Sequence, residues 1–204
     1  MTILAIDTST DHGSVALLTG GEMRLDETFV ADRSHSSTLF AVLERAVALA
    51  PRVDQVVIGL GPGSYAGVRI AIATAIGLEL GIGAELVGIP SVAALETDAA
   101  DYIAIGDARR ETFYFTRVAD GVCTEGPLLA TEAELRERLG AHPALPVFTT
   151  VALAGFPAAL IALPSAARIA RLADAARGIT ATGDLEPIYL REPHITPPKA
   201  RPPL

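Results

Sequence analysis

The sequence predicts an α/β protein built as two similar lobes, each a mixed sheet with helical cover. Three observations lead there. Short β-rich runs joined by turns open the chain. Helical periods then alternate with apolar runs. Near Asp101 the opening pattern returns: "YIAIGDARRETFYFTRV" repeats the shape of "TILAIDTSTDHGSVALL", an apolar strand, an Asp, a polar turn and a second strand. This places Asp7 and Asp107 at matching turns and divides the chain into residues 1–98, 99–193 and a Pro-rich tail, 194–204, expected to be flexible.

The elements follow in order. "TILAID", "GSVALLT" and "EMRLDETFV" read as a three-strand meander. "SHSSTLFAVLERAVALA" switches to helical spacing, with Leu39, Val42, Leu43, Ala46 and Val47 on one face, Ser34, Ser36 or Ser37 as N-cap, and Pro51 beyond its end. "QVVIGL" is a fourth strand, residues 68–80 a second long helix, "AELVGIP" a fifth strand and "SVAALET" a short helix. In the second lobe "TEAELRERLG" and "SAARIARLADAARG" read as helices, the latter between an N-cap Ser165 and a C′ Gly178.

Composition narrows the function classes. With 50% hydrophobic and 20% charged residues the chain is not of the disordered class. Aromatics are 5% and Trp is absent, so the core is made of Ala, Val, Leu and Ile. A formal charge of −8 without a basic tract disfavours direct nucleic-acid binding, because Lys and Arg supply most of that affinity. Cys123 is the single cysteine; it reads as a small buried hydrophobe in a reducing compartment. "MTILAIDTST" lacks a charged leader, and the uncharged stretch 139–167 is broken by Pro143, Pro146, Pro157 and Pro164. The chain therefore reads as cytoplasmic, with no membrane span.

The candidate sites carry alternatives. Asp7-Thr8-Ser9 in a strand-to-strand turn is either a phosphate grip, with a carboxylate near a metal-bound phosphate and hydroxyls on its oxygens, or an internally bonded Asx turn. Asp107 is its counterpart, but Ala108, Arg109 and Arg110 stand where a phosphate grip needs glycine, so this half of a clamp reads as degraded. "GLGPGSYAG" matches neither the P-loop nor the dinucleotide fingerprint, and Ser64 has no nucleophile-elbow spacing. The helix behind it alternates Ala66, Gly67, Ala71, Ala73, Ala75 and Gly77 with Val68, Ile70, Ile72, Ile76 and Leu78. It is apolar nearly all round and needs cover on every side. A docked helix of another chain is favoured over a fully internal position. His35 has no second His at helical spacing, so no metal site is expected.

Together "LAIDTST", "GLGPGSYAGVRIAIATAIGLE", "GDARRETFYF" and "EPIYLREP" resemble, in order, signature segments of the bacterial TsaB (YeaZ) family, across residues 2–193. The resemblance implies the two-lobed acetate-kinase/sugar-kinase/Hsp70/actin (ASKHA) fold. It implies a non-catalytic scaffold in a complex that attaches threonylcarbamoyl to the adenosine next to the anticodon of tRNAs reading ANN codons. The partners it implies are TsaD (direct), TsaE in the ternary complex, a second copy of the chain when alone, and tRNA only through the complex. ATP or ADP and a metal belong to the partner subunit, with none bound tightly here. It also implies docking through the first two long helices, with Leu39, Phe40, Leu43, Val47, Val68, Ala71, Ile72, Ala75 and Ile76 as interface. The competing readings are an autonomous nucleotide-dependent kinase using Asp7 and Asp107, and a peptidase of the M22 type.

Overall fold

A computed structural model describes residues 1–30 and 35–191, residues 35 and 36 by backbone only. Ser34, the His35 side chain and the tail 194–204 therefore lie outside the described residues.

The first sheet runs β5-β4-β1-β2-β3 from β1 (Thr2–Asp7), β2 (His12–Thr19), β3 (Glu22–Val30), β4 (Gln55–Gly59) and β5 (Glu85–Ile89), with β11 (Ala181–Thr182) added outside β5. The second runs β10-β9-β6-β7-β8 from β6 (Asp101–Asp107), β7 (Thr112–Ala119), β8 (Val122–Thr131), β9 (Val147–Thr149) and β10 (Leu160–Ile161). The two orders are the same topology, two antiparallel hairpins followed by parallel strands on the far side of the opening strand. The restart read at Asp101 is thus a structural duplication, and the ASKHA-like two-lobe fold holds.

Alternation along β1 separates two cores. Leu4 and Ile6 point to one face and pack with α1 (His35–Ala48) and α2 (Tyr65–Ile82). Ile3 and Ala5 point to the other and pack with α4 (Ala166–Asp174). This corrects one expectation: α4, read as a second-lobe helix, lies on the first sheet. Its amphipathic stripe specifies that one face is buried but not against which sheet. In the second lobe α3 (Glu132–Ala141), entered through a capping box of Thr131 and Glu134, covers the outer face with Leu135.

Helix ends shift where caps decide them. α2 starts at Tyr65 rather than 68, because the Ser64 hydroxyl accepts from the Gly67 amide, and it stops at the left-handed Gly83. Ser36 and Ser37 are inside α1. "SVAALET" is only a 3-10 turn, Ser91–Ala94. α4 ends at the Ala175 cap, before Gly178. The segment between β9 and β10 holds no helix, so the second lobe lacks a counterpart of α2.

Candidate functional site

The glycines of "GLGPGSYAG" take up the first hairpin turn. A Cβ at Gly59 would lie 1.8 Å from Asp7 Oδ2, one at Gly63 would lie 2.1 Å from the Ser9 carbonyl, and one at Gly67 would lie 1.9 Å from the Thr8 carbonyl. Spaced four apart, the three glycines give the turn bare backbone to lie on. Hydrogen bonds complete the seam: the Thr8 hydroxyl donates to the Gly67 carbonyl at 2.7 Å, and the Ser64 amide donates to the Ser9 carbonyl at 2.6 Å.

The turn's own polar groups are likewise turned inward. Asp7 Oδ1 accepts from the Ser9 amide at 2.9 Å and the Ser9 hydroxyl at 2.7 Å. Asp7, Thr8 and Ser9 are buried. Asp7 Oδ2 has no hydrogen bond and converges with the Ser91 hydroxyl on the bare face of Gly59. Burial pushes the Asp7 carboxyl upward, with the Ser91 and Ser9 hydroxyls and the Ser9 amide offsetting part of the rise. The Asx-turn alternative is therefore realised at Asp7. The Thr8 and Ser9 hydroxyls and the Ser9 amide are thereby engaged within the chain.

Asp107 repeats the Asx geometry, accepting from the Arg109 amide at 2.7 Å, but it is exposed. The turn behind it takes a left-handed path without glycine: φ is 66° at Arg109, 52° at Arg110 and 59° at Glu111. Between the two turns runs an interlobe cleft of about 1030 Å³, walled by Thr10 and Ser64 on one side and by Asp107, Arg109 and Thr150 on the other. Tyr114 lines it as well; burial raises its phenol to about 12. Among the described residues no group of three or more His, Cys, Asp or Glu could hold a metal ion.

A second concavity separates α1 from α2. This groove of about 650 Å³ is lined by Phe40, Leu43, Glu44, Val47, Ile70, Ala73, Thr74, Gly77 and Leu78. No atom lies within 4 Å of a Cβ position at Gly77. In its wall Phe40 is 55% exposed; elsewhere on α2 Ile76 is 43% exposed and Leu80 83%. α2 is long and apolar enough to cross a membrane by length and composition, yet its Gly67, Val68, Ala71, Ile72 and Ala75 are buried.

The expected interface accordingly splits. Phe40, Leu43 and Val47 line the groove, and Ile76 is exposed on α2 outside its lining. Leu39, Val68, Ala71, Ile72 and Ala75 belong to the core under the helices, so their assignment to the interface is corrected. The small alanines serve the approach of α2 to its own sheet. Ala73, Gly77 and Leu78 also line the groove and are not among the expected interface residues, although 73 and 77 have the same helical spacing as the buried stripe.

Comparisons with known proteins agree with this architecture. The profile of the family described as "TsaD: tRNA N6-adenosine threonylcarbamoyltransferase" matches residues 29–126. An uncharacterized protein of Mycobacterium tuberculosis is 33% identical over 212 aligned positions, covering 96% of this chain and 94% of that protein. The tRNA threonylcarbamoyladenosine biosynthesis protein TsaB of Haemophilus influenzae is 33% identical over 129 residues, 58% of this chain and 54% of its own length. A crystal structure described as an uncharacterized protein with similarity to peptidase YEAZ from Pseudomonas aeruginosa aligns with a TM-score of 0.74 at 28% identity, over 93% of this chain and 99% of that one. With the duplicated topology and the sealed glycine turn, these relatives settle the assignment: the chain belongs to the TsaB (YeaZ) family.

Proposed function

We propose that this chain serves tRNA threonylcarbamoyladenosine biosynthesis as a non-catalytic, cytoplasmic subunit that docks a TsaD-type transferase on its α1–α2 face, with TsaE joining the ternary complex. The observation that carries the reading is the apolar groove between α1 and α2, whose floor at Gly77 is bare and whose wall exposes Phe40, with Ile76 and Leu80 exposed elsewhere on α2. Apolar side chains gathered at one concave face of a soluble chain mark a binding surface. In the absence of the transferase, a second copy of the chain takes the same face.

The interior of the Asp7 turn supports the non-catalytic part. A kinase reading needs hydroxyls and amides free for phosphate, and the Thr8 hydroxyl and the Ser9 hydroxyl and amide are engaged within the chain. ATP or ADP and the metal accordingly belong to the partner, and tRNA, repelled by a net charge of −8, reaches this chain through the complex.

An omission experiment tests the proposal. TsaD, TsaE, the enzyme that makes threonylcarbamoyl-adenylate, ATP, bicarbonate, threonine and unmodified tRNA are incubated with and without the chain, and nucleosides are read by mass spectrometry. Modified adenosine that forms only with the chain present is the expected result. Equal product in both reactions overturns the role.

A further inference from the structure

Residues 187–191 cross from one lobe to the other at the mouth of the interlobe cleft. Ile188 belongs to the first lobe: its amide donates to the Leu60 carbonyl at 2.9 Å and its side chain packs into the core under α1 and α2. The next ring, Tyr189, stacks on Tyr65, the first residue of α2, with centroids 5.6 Å apart and planes tilted 37°. Leu190 then packs into the second-lobe core with Tyr102 and Phe148. Arg191 ends on the β6–β7 loop, where its Nη2 donates to the Arg109 carbonyl at 3.3 Å and to the Thr112 hydroxyl.

We propose that this segment is a strap that holds the two lobes at one angle and keeps the cleft closed to its present width. Each lobe holds it at two residues, Ile188 and the Tyr189 ring on the first, Leu190 and the charge-assisted hydrogen bonds of Arg191 on the second. The second anchor also steadies the left-handed run Arg109–Glu111, since the carbonyl that Arg191 holds belongs to its first residue. Cutting the Tyr189 or the Arg191 contact weakens one end of the strap and leaves the core side chains Ile188 and Leu190 in place.

The test measures the interlobe distance in the full chain with spin labels at exposed Glu22 and Glu137, in a Cys123→Ala background. Tyr189→Ala, Arg191→Ala and Thr112→Val are compared with that parent. Losing one charge-assisted hydrogen bond shifts a closed–open balance about tenfold toward open, so the Arg191→Ala and Thr112→Val distributions extend to longer distances. Tyr189→Ala extends them likewise from the opposite anchor. Thr112→Val attacks the same contact from the other lobe, so the test survives if Arg191→Ala does not fold. Parent-like distributions in folded Tyr189→Ala and Thr112→Val overturn the strap.

Discussion

Thr8 and Gly67 are locked together twice: the Thr8 hydroxyl donates to the Gly67 carbonyl at 2.7 Å, and the Thr8 carbonyl occupies the place of a Gly67 side chain, 1.9 Å from its Cβ position. Both atoms are backbone or backbone-bound, so a methyl at 67 has nowhere to displace them. Gly67→Ala should cost about 3 kcal/mol, the upper range for overpacking, even after the helix-propensity gain of about 1 kcal/mol. Thermal unfolding by circular dichroism should show a Tm lower by roughly 6–12 °C. An unchanged Tm would mean that the seam between the hairpin turn and α2 is loose.

Gly77, ten residues on in the same helix, predicts the reverse. It has open space where Cβ would stand, and it floors the α1–α2 groove. Gly77→Ala should stabilise the isolated chain by about 1 kcal/mol through helix propensity, a Tm gain of roughly 2–4 °C. The same methyl fills space that a docked helix needs, and binding to TsaD should weaken about fivefold or more. Calorimetric titration alongside the melt checks both; stabilisation with unaltered affinity would place docking elsewhere.

Asp7 sets a pH dependence. Burial raises its carboxyl above the ordinary range, so over the interval between the unfolded and folded values the native state holds more protons than the unfolded one. Stability is therefore fully present below the unfolded carboxylate value and is lost as pH rises through the folded one, with a slope that approaches about 1.4 kcal/mol per unit. Asp26, raised chiefly by burial and then by Glu96, contributes in the same direction. Asp7→Asn keeps an acceptor for Ser9 and removes the titration. Urea unfolding from pH 4 to 8 should show a falling stability in the parent and a flatter line in the variant. A parent whose stability climbs over that range would contradict the buried, uphill carboxyl.

Much of this architecture was legible in the sequence. The matching of "TILAIDTST" with "YIAIGDARR" foretold the duplicated sheets, because strand, Asp and turn are local patterns. The Asx turn was likewise available as one alternative at Asp7, but not at Asp107, which reads only as a degraded grip. Long-range choices were not legible. The stripe of α4 is satisfied equally by either sheet, and only the folded chain puts it on the first. In α2, apolar residues on all sides left two stripes to choose between, and the small alanines of the sheet-facing one resembled a helix–helix contact. The strap was invisible as a strap, since Tyr189–Tyr65 and Arg191–Thr112 join residues far apart in sequence. The absence of a second-lobe counterpart to α2 follows from residues 150–159, whose Gly155 and Pro157 break helical spacing.

The two faces of α2 make the final prediction a paired one. Ala75 is wholly buried against the sheet, whereas Ala73 is exposed in the groove. A glutamate at 75 puts an unpaired charge in the core, a penalty of about 3–5 kcal/mol, and the chain should unfold or precipitate. A glutamate at 73 leaves the monomer's stability within about 0.5 kcal/mol, because the side chain reaches water. When a partner covers the groove, however, that charge is desolvated without a counter-ion, and affinity should fall by about thirtyfold or more, about 2 kcal/mol at least. Sedimentation velocity of the Ala73→Glu chain, alone and mixed with TsaD, reads this directly. A parent-like Tm with neither self-association nor complex is the expected outcome. A folded Ala73→Glu chain that still pairs at parental affinity would remove the groove from the interface and leave the exposed Leu80 end of α2 as the surface to test.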